Sequence, residues 1–263
     1  MAAAGWAGAI VNGLGYSWAL WMACALAVAL SLRGQTPPVS RADVTVGAAC
    51  LVMIALPASD LSVVAATAIA LWFLIRPEIS VRLAGAAVIL LAVAVNLLWS
   101  PAAMQFVARP VEFVDAHLVG MVTGSPAHEN LVGFVDGSGA LLIARGCTSV
   151  ANASLALLVW LSIARSVRPR SGPRDLLVGA GVFATVMVIN LTRLVLTAQD
   201  RAAYEFWHGT VGRPLVNVII SVSGLAWAAW DVRDEIFGPV LGDDTGASRW
   251  NLGHEGSASI DGR

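Results

Sequence analysis

Residues 82–100 read RLAGAAVILLAVAVNLLWS, an apolar stretch with one charge at its start and a lone amide, Asn96, near its end. About 20 helical residues at 1.5 Å rise cover the hydrocarbon core of a bilayer, so this run predicts a transmembrane helix. Outward from it, runs of the same character occupy residues 9–32, 44–59, 61–75, 147–164, 176–198 and 214–230. The second and third are short and meet at Ala58-Ser59-Asp60, which suits either a tight helical hairpin or one broken element. The expected fold is all-α, a polytopic transmembrane helix bundle of about seven spans. It forms a single integral membrane domain over residues 1–237.

Composition agrees. The 263 residues are 57% hydrophobic and 13% charged, with a mean hydropathy of +0.75, too little polar surface for a soluble globule. All 16 basic residues are arginines and the net charge is -1, so no basic field exists to bind nucleic acid. Cys24, Cys50 and Cys147 are far apart and form no CxxC pair, which argues against a disulfide framework or a thiolate metal site. No arginine precedes Arg33, so the first run lacks the basic flank of a cleaved signal and reads as a retained helix.

Arginine placement sets the expected orientation. Arg33 and Arg41, Arg76 and Arg82, the cluster Arg165, Arg168, Arg170 and Arg174, and Arg233 fall in every second loop, which marks those loops as cytoplasmic. The N-terminus, the Asp60 corner, segment 101–146 and segment 199–213 then lie outside, and the C-terminus inside. The arginine cluster reads as an orientation signal, with anionic lipid as a lesser partner. In segment 101–146, Phe106, Val107, Val111, Phe113, Val114, Leu118 and Val119 alternate with Arg109, Glu112, Asp115 and His117, the pattern of an amphipathic helix lying at the interface. Leu131–Val135 and Ala140–Ala144 flank Asp136-Gly137-Ser138-Gly139, which predicts a small β-hairpin leading to Gly146-Cys147. Residues 238–263 are polar and Gly-rich, a disordered cytoplasmic tail whose closing Ile-Asp-Gly-Arg reads as an appended remnant.

Few polar residues remain at membrane depth, and those point to chemistry. Cys147 opens the fifth span, where the positive end of a helix dipole and a nearby cation favour a thiolate; its bland reading is a small buried residue, as Cys24 and Cys50 are expected to be. Arg193 shares a stripe with Asn190 and Thr197, which must face protein or water, or else the arginine snorkels to headgroups. His208 follows Phe206 and Trp207, aromatics that hold a loop at the membrane surface, and imidazole moves protons near neutral pH. His117 and His128 share that face, so His208 alone would also fit an ordinary surface residue. Ser149, Asn152 and Ser154 line the fifth span and Asn217, Ser221 and Gly224 the seventh. Ser149 and Asn190 are possible helpers, and the others suit helix packing.

Gly146-Cys147-Thr148-Ser149, Asn190-Leu191-Thr192-Arg193 and Trp207-His208-Gly209, in this order, resemble the exosortase/archaeosortase family over roughly residues 105–230. The resemblance implies a polytopic membrane cysteine peptidase/transpeptidase without metal or cofactor. Its substrates would be exported proteins ending in a short sorting motif, a transmembrane helix and a basic tail. It implies Cys147 as nucleophile, Arg193 as thiolate or oxyanion stabiliser and His208 as general acid/base. Many members have Ser-Gly after the cysteine where this chain has Thr148-Ser149, a difference that bears on subfamily and sorting motif. Two other classes compete: a transporter or channel with a polar path at Asn190 and Arg193, which predicts inverted repeats, and a non-catalytic membrane scaffold.

Overall fold

The computed structural model describes residues 18–34, 38–56 and 58–236, without the side chains of Ser59 and Ala151. The expected opening of the first span at 9–17 and the tail at 238–263 lie outside the described residues.

Helix α1 spans Trp18–Arg33, α2 Arg41–Ala55 and α3 Ser59–Ile75. Ser40 and Asp43 start α2 as a capping box, each side chain taking the other's backbone amide. Asp43 also pairs with Arg76 (2.7 Å) and accepts from Trp72 Nε1 (2.9 Å), which clamps α2 against the end of α3. The Asp60 corner is therefore a helical hairpin.

Ser80 caps α4 (Val81–Ala94), which runs through one π turn (Val95–Trp99) into α5 (Ser100–Thr123). Here the structure corrects the expectation of a span ending at 100 and a separate interfacial helix beyond it. Pro101 has no N–H to give, which ordinarily ends a helix; the wider turn, closed by the Ser100 amide on the Val95 carbonyl, carries the axis past it. The result is 43 continuous helical residues, Val81–Thr123, about 65 Å long at 1.5 Å per residue. Its second half keeps the amphipathic pattern but inverts it. Glu112 and Asp115 are buried with Met104, Ala116 and Val119, while Phe106, Phe113 and Met121 are exposed.

Gly124, at φ 71°, ends α5 in the left-handed conformation that favours glycine. Strands β1 (Ala127–His128), β2 (Leu131–Gly133) and β3 (Ala140–Leu142) follow as an antiparallel sheet, the expected hairpin plus one short strand. Val132 pairs with Leu141, and both are buried with Ile143 against Ala116 and Val119 of the long helix. A 3-10 turn, Arg145–Cys147, leads to α6 (Ser149–Val167), α7 (Pro173–Thr197), α8 (Arg201–His208) and α9 (Gly212–Asp231).

The described part of the chain is thus mostly helical with a small sheet. Every expected run contains a helix in its described part, but among the described residues three helices are long and apolar enough to cross a membrane: Val81–Thr123, Pro173–Thr197 and Gly212–Asp231. Trp18–Arg33, Asp60–Ile75 and Asn152–Val167 are apolar and shorter.

The arginine-bearing turns gather at one end. Arg82 donates to the Arg33 carbonyl (3.2 Å) and Gly85 packs on Pro169. Arg165 pairs with Asp175, Arg168 with Asp175, Asp231 and Glu235, and Arg174 with Asp231. Three members of the expected cluster are therefore bound to carboxylates of α7, α9 and the turn beyond it, which leaves them little charge for lipid. Where α9 crosses α6, Gly224 lies so near Ala156 that a Cβ there would stand 2.9 Å from its carbonyl. Ser221 is buried beside it, whereas Asn217, expected on the same inward face, is exposed.

Candidate functional site

At the opposite end from the arginine turns, Cys147 closes the 3-10 turn just before Thr148, the N-cap of α6. Its amide donates to the Ala144 carbonyl (2.8 Å), and Thr148 turns its hydroxyl back to the Arg145 carbonyl (2.9 Å). The half-buried thiol Sγ stands 3.2 Å from His208 Nε2.

His208 is the last residue of α8, which Asp200 starts by accepting the Ala203 amide (2.7 Å). Tyr204, one turn back, stacks on the imidazole with centroids 4.5 Å apart and planes 20° from parallel. Nδ1 is buried and has no hydrogen bond of good geometry, so stacking orients the ring rather than a third polar residue. The Tyr204 carbonyl is the smallest influence on the imidazole and favours its protonated form. Burial pushes the imidazole below its ordinary value of 6.5, and the charges of Arg193 and Arg213 push the same way. The shift favours the neutral imidazole, the form that can accept a proton.

Helix α7 supplies a common reference for both groups. Its polar stripe of Asn190, Arg193 and Thr197 faces inward, and Arg193 is 6% exposed rather than reaching to solvent. Asn190 Nδ2 donates to the Cys147 carbonyl (2.8 Å), and one turn later Arg193 donates to the Trp207 carbonyl (3.3 Å), the residue before His208. Arg193 Nε is buried without a partner, and its charge acts on both Cys147 and His208. The amides flanking the thiol are occupied: Cys147 on Ala144, Thr148 on Arg145, and Ser149 on Asp115 Oδ2 (3.1 Å). Arg193 Nε is thus a buried donor without a hydrogen-bond partner, on a side chain whose charge acts on Cys147.

Ser149 and Asn190, expected as helpers, sit behind the thiol. Ser149 Oγ donates to Asp115 Oδ1 (3.2 Å) and accepts from Asn190 Nδ2 (3.1 Å), while Asn152 donates to Asn190 Oδ1 (2.9 Å). His117 is occupied elsewhere, on the Phe113 carbonyl of its own helix, and His128 lies in β1.

Sequence reasoning missed Asp115, Arg213 and Gly212. Asp115 stood in a pattern read as solvent-facing, although helical phase groups it with Ala108, Ala116 and Val119. Gly212 gave no signal: a Cβ there would land on the Phe206 carbonyl and the Trp207 Cα, so only glycine lets α9 start against the turn carrying His208.

A recess of about 360 Å³, lined by Asn96, Ser100, Met104, Arg145, Gly146 and Ser154, lies against the turn that ends in Cys147. The π turn aims Asn96 at Ser154 (2.9 Å) in this recess. Ser100 and Ser154 also border an apolar groove of about 430 Å³ between α4 and α6. Among the described residues no three His, Cys, Asp or Glu side chains gather to hold a metal.

No protein-family model, no curated protein and no solved structure matches the chain. The chemistry of the site rests on its own atoms.

Proposed function

We propose that this protein is a multi-pass membrane cysteine peptidase or transpeptidase of the exosortase type. The observation that carries the reading is the 3.2 Å contact of Cys147 Sγ with His208 Nε2, on a turn that is also held by Arg193, whose Nε is buried without a partner. Thiol, imidazole and a vacant cationic donor are the parts that thioester chemistry needs.

His208 Nε2 takes the thiol proton as sulfur attacks the scissile carbonyl, forming the S–C bond. Arg193 Nε donates to the oxyanion. Collapse breaks the C–N bond, and His208 returns its proton to the departing amine, leaving a thioester on Cys147. An incoming amine or water, deprotonated by the same imidazole, then releases the acyl group and restores the thiol.

The substrate is an exported protein carrying a C-terminal motif, a transmembrane helix and a basic tail. The apolar groove, which shares Ser100 and Ser154 with the recess beside Gly146, suits a chain leaving a membrane helix for the thiol. In this reading the chain makes seven spans in a cell or inner membrane, with the arginine turns and C-terminus in the cytoplasm and the site outside. Gathering of the arginine turns at the end away from Cys147 favours this orientation.

The test is co-expression of Cys147→Ala with a candidate substrate. Loss of processing is expected, whereas processing at the normal rate would exclude Cys147 as nucleophile.

A further inference from the structure

We infer that Asp115 is a positioning residue: acting through Ser149 and Asn190, it holds the Cys147 carbonyl, and with it the thiol, against His208. This rests on the reading of Cys147 and His208 as a working pair.

Asp115 is 2% exposed, and both carboxylate oxygens are taken by Ser149, one by its amide and one by its hydroxyl. Among the described residues it forms no ion pair. A buried carboxylate without a counter-ion is costly, so its retention calls for a reason. One is local: Thr148 does not cap α6 with its own side chain, and Asp115 caps that helix from α5 instead, at the positive end of its dipole.

The second reason is direction. A carboxylate only accepts, so the single Ser149 hydroxyl proton must point at Asp115, and the Ser149 lone pairs must face Asn190. Asn190 then spends its two amide protons on Ser149 Oγ and the Cys147 carbonyl, while its oxygen takes Asn152. Flipping that amide would set oxygen against oxygen at the Cys147 carbonyl. The chain has one polarity, set by acceptors at both its ends, the Asp115 carboxylate and the Cys147 backbone carbonyl. It joins α5, α6 and α7 at the height of the thiol.

The test is the rate at which iodoacetamide modifies Cys147 in the full-length protein in membranes, followed by mass spectrometry of its peptide across pH. Four proteins are compared: wild type, His208→Ala, Asp115→Ala and the double variant. Each single change should slow alkylation roughly 10-fold or more, since displacement by about 1 Å is enough to uncouple reacting groups. The double variant should be no slower than either single one, because both act on one pairing. Ser149→Ala, which cuts the same chain, should reproduce the loss, and buried Cys50 should stay protected in all of them.

Unchanged or faster alkylation in Asp115→Ala, losses that add in the double variant, or exposure of Cys50 would overturn the inference and leave Asp115 a stabilising cap. Substrate processing that needs Cys147 and ignores Asp115 would overturn it alone. Alkylation that obeys Asp115 while no substrate is cleaved would instead overturn the peptidase reading alone.

Discussion

Arg193 combines one contact with a free donor, which lysine cannot reproduce. One guanidinium nitrogen holds the Trp207 carbonyl while the buried Nε stays without a partner, a division that depends on a planar fork. Arg193→Lys should therefore keep the charge and still lower the processing rate by about 10²–10³-fold, the usual cost of an oxyanion donor, with no loss of folded protein. A single-turnover cleavage assay on equal amounts of folded variant checks this, and near-normal rates would leave Arg193 a purely structural group. The second prediction concerns pH. His208 titrates below 6.5 in the fold, so between that lower value and 6.5 an unfolded chain binds the proton that the folded one refuses. This contribution to stability is present above 6.5 and is lost as pH falls through that window. Cleavage should accordingly persist below pH 6.5, and Arg213→Gln, by removing one repelling charge, should move the acid limb of the rate profile upward. A limb that stays put in Arg213→Gln would refute the electrostatic cause. Cys147, Arg193 and His208 were legible in the sequence because polar groups stand out in an apolar chain. Asp115 was not, because a carboxylate in a mixed helix marks a buried face only through its phase with Ala108, Ala116 and Val119.

The element that matters most for placing the site is the turn between α8 and α9. α8 ends at His208, and α9 begins at Gly212 with its backbone pressed on Phe206 and Trp207. Gly212→Ala must push that turn away, and His208 with it, while the helices themselves remain compatible with alanine. The expected outcome is a loss of cleavage of about 10²-fold with helical content unchanged by circular dichroism. Full activity in Gly212→Ala would mean that the contact yields without moving the imidazole. At this scale the sequence was a good guide to which segments are helical and to the hairpin, since periodicity and turn residues act locally. It misplaced the junction at residues 95–101, because the apolar run stops at Ser100 whereas the π turn, which has no residue signature of its own, carries the helix on past it. The inverted amphipathicity of α5 follows from the same continuity, since a helix leaving lipid can keep its apolar side outward and turn its carboxylates toward protein.

The molecule as a whole is polarised, with ion pairs at one end and the thiol site at the other. Asp231, fully buried, receives Arg168, Arg174 and Trp160 Nε1 and so ties α6 and α7 to α9. Asp231→Asn would leave two arginines short of their partner and should cost about 3 kcal/mol, the low end for breaking a buried pair, because both arginines keep part of their side chains in water. A fall in the melting temperature of purified protein checks the figure, and no change would show that Asp175 and Glu235 suffice. The arrangement also makes a prediction about the membrane. Ser138 is exposed in the loop between β2 and β3 at the thiol end, and Arg170 is exposed among the arginine turns. In a background with Cys24, Cys50 and Cys147 replaced by alanine, a membrane-impermeant maleimide added to intact cells should label Ser138→Cys and spare Arg170→Cys until the membrane is opened. The positive-inside rule demands this result, because the turns at Arg33, Arg76, Arg82 and Arg165–Arg174 assemble on one side of the bundle. Labelling of Arg170→Cys in intact cells would invert the orientation and place Cys147 where no exported substrate could reach it.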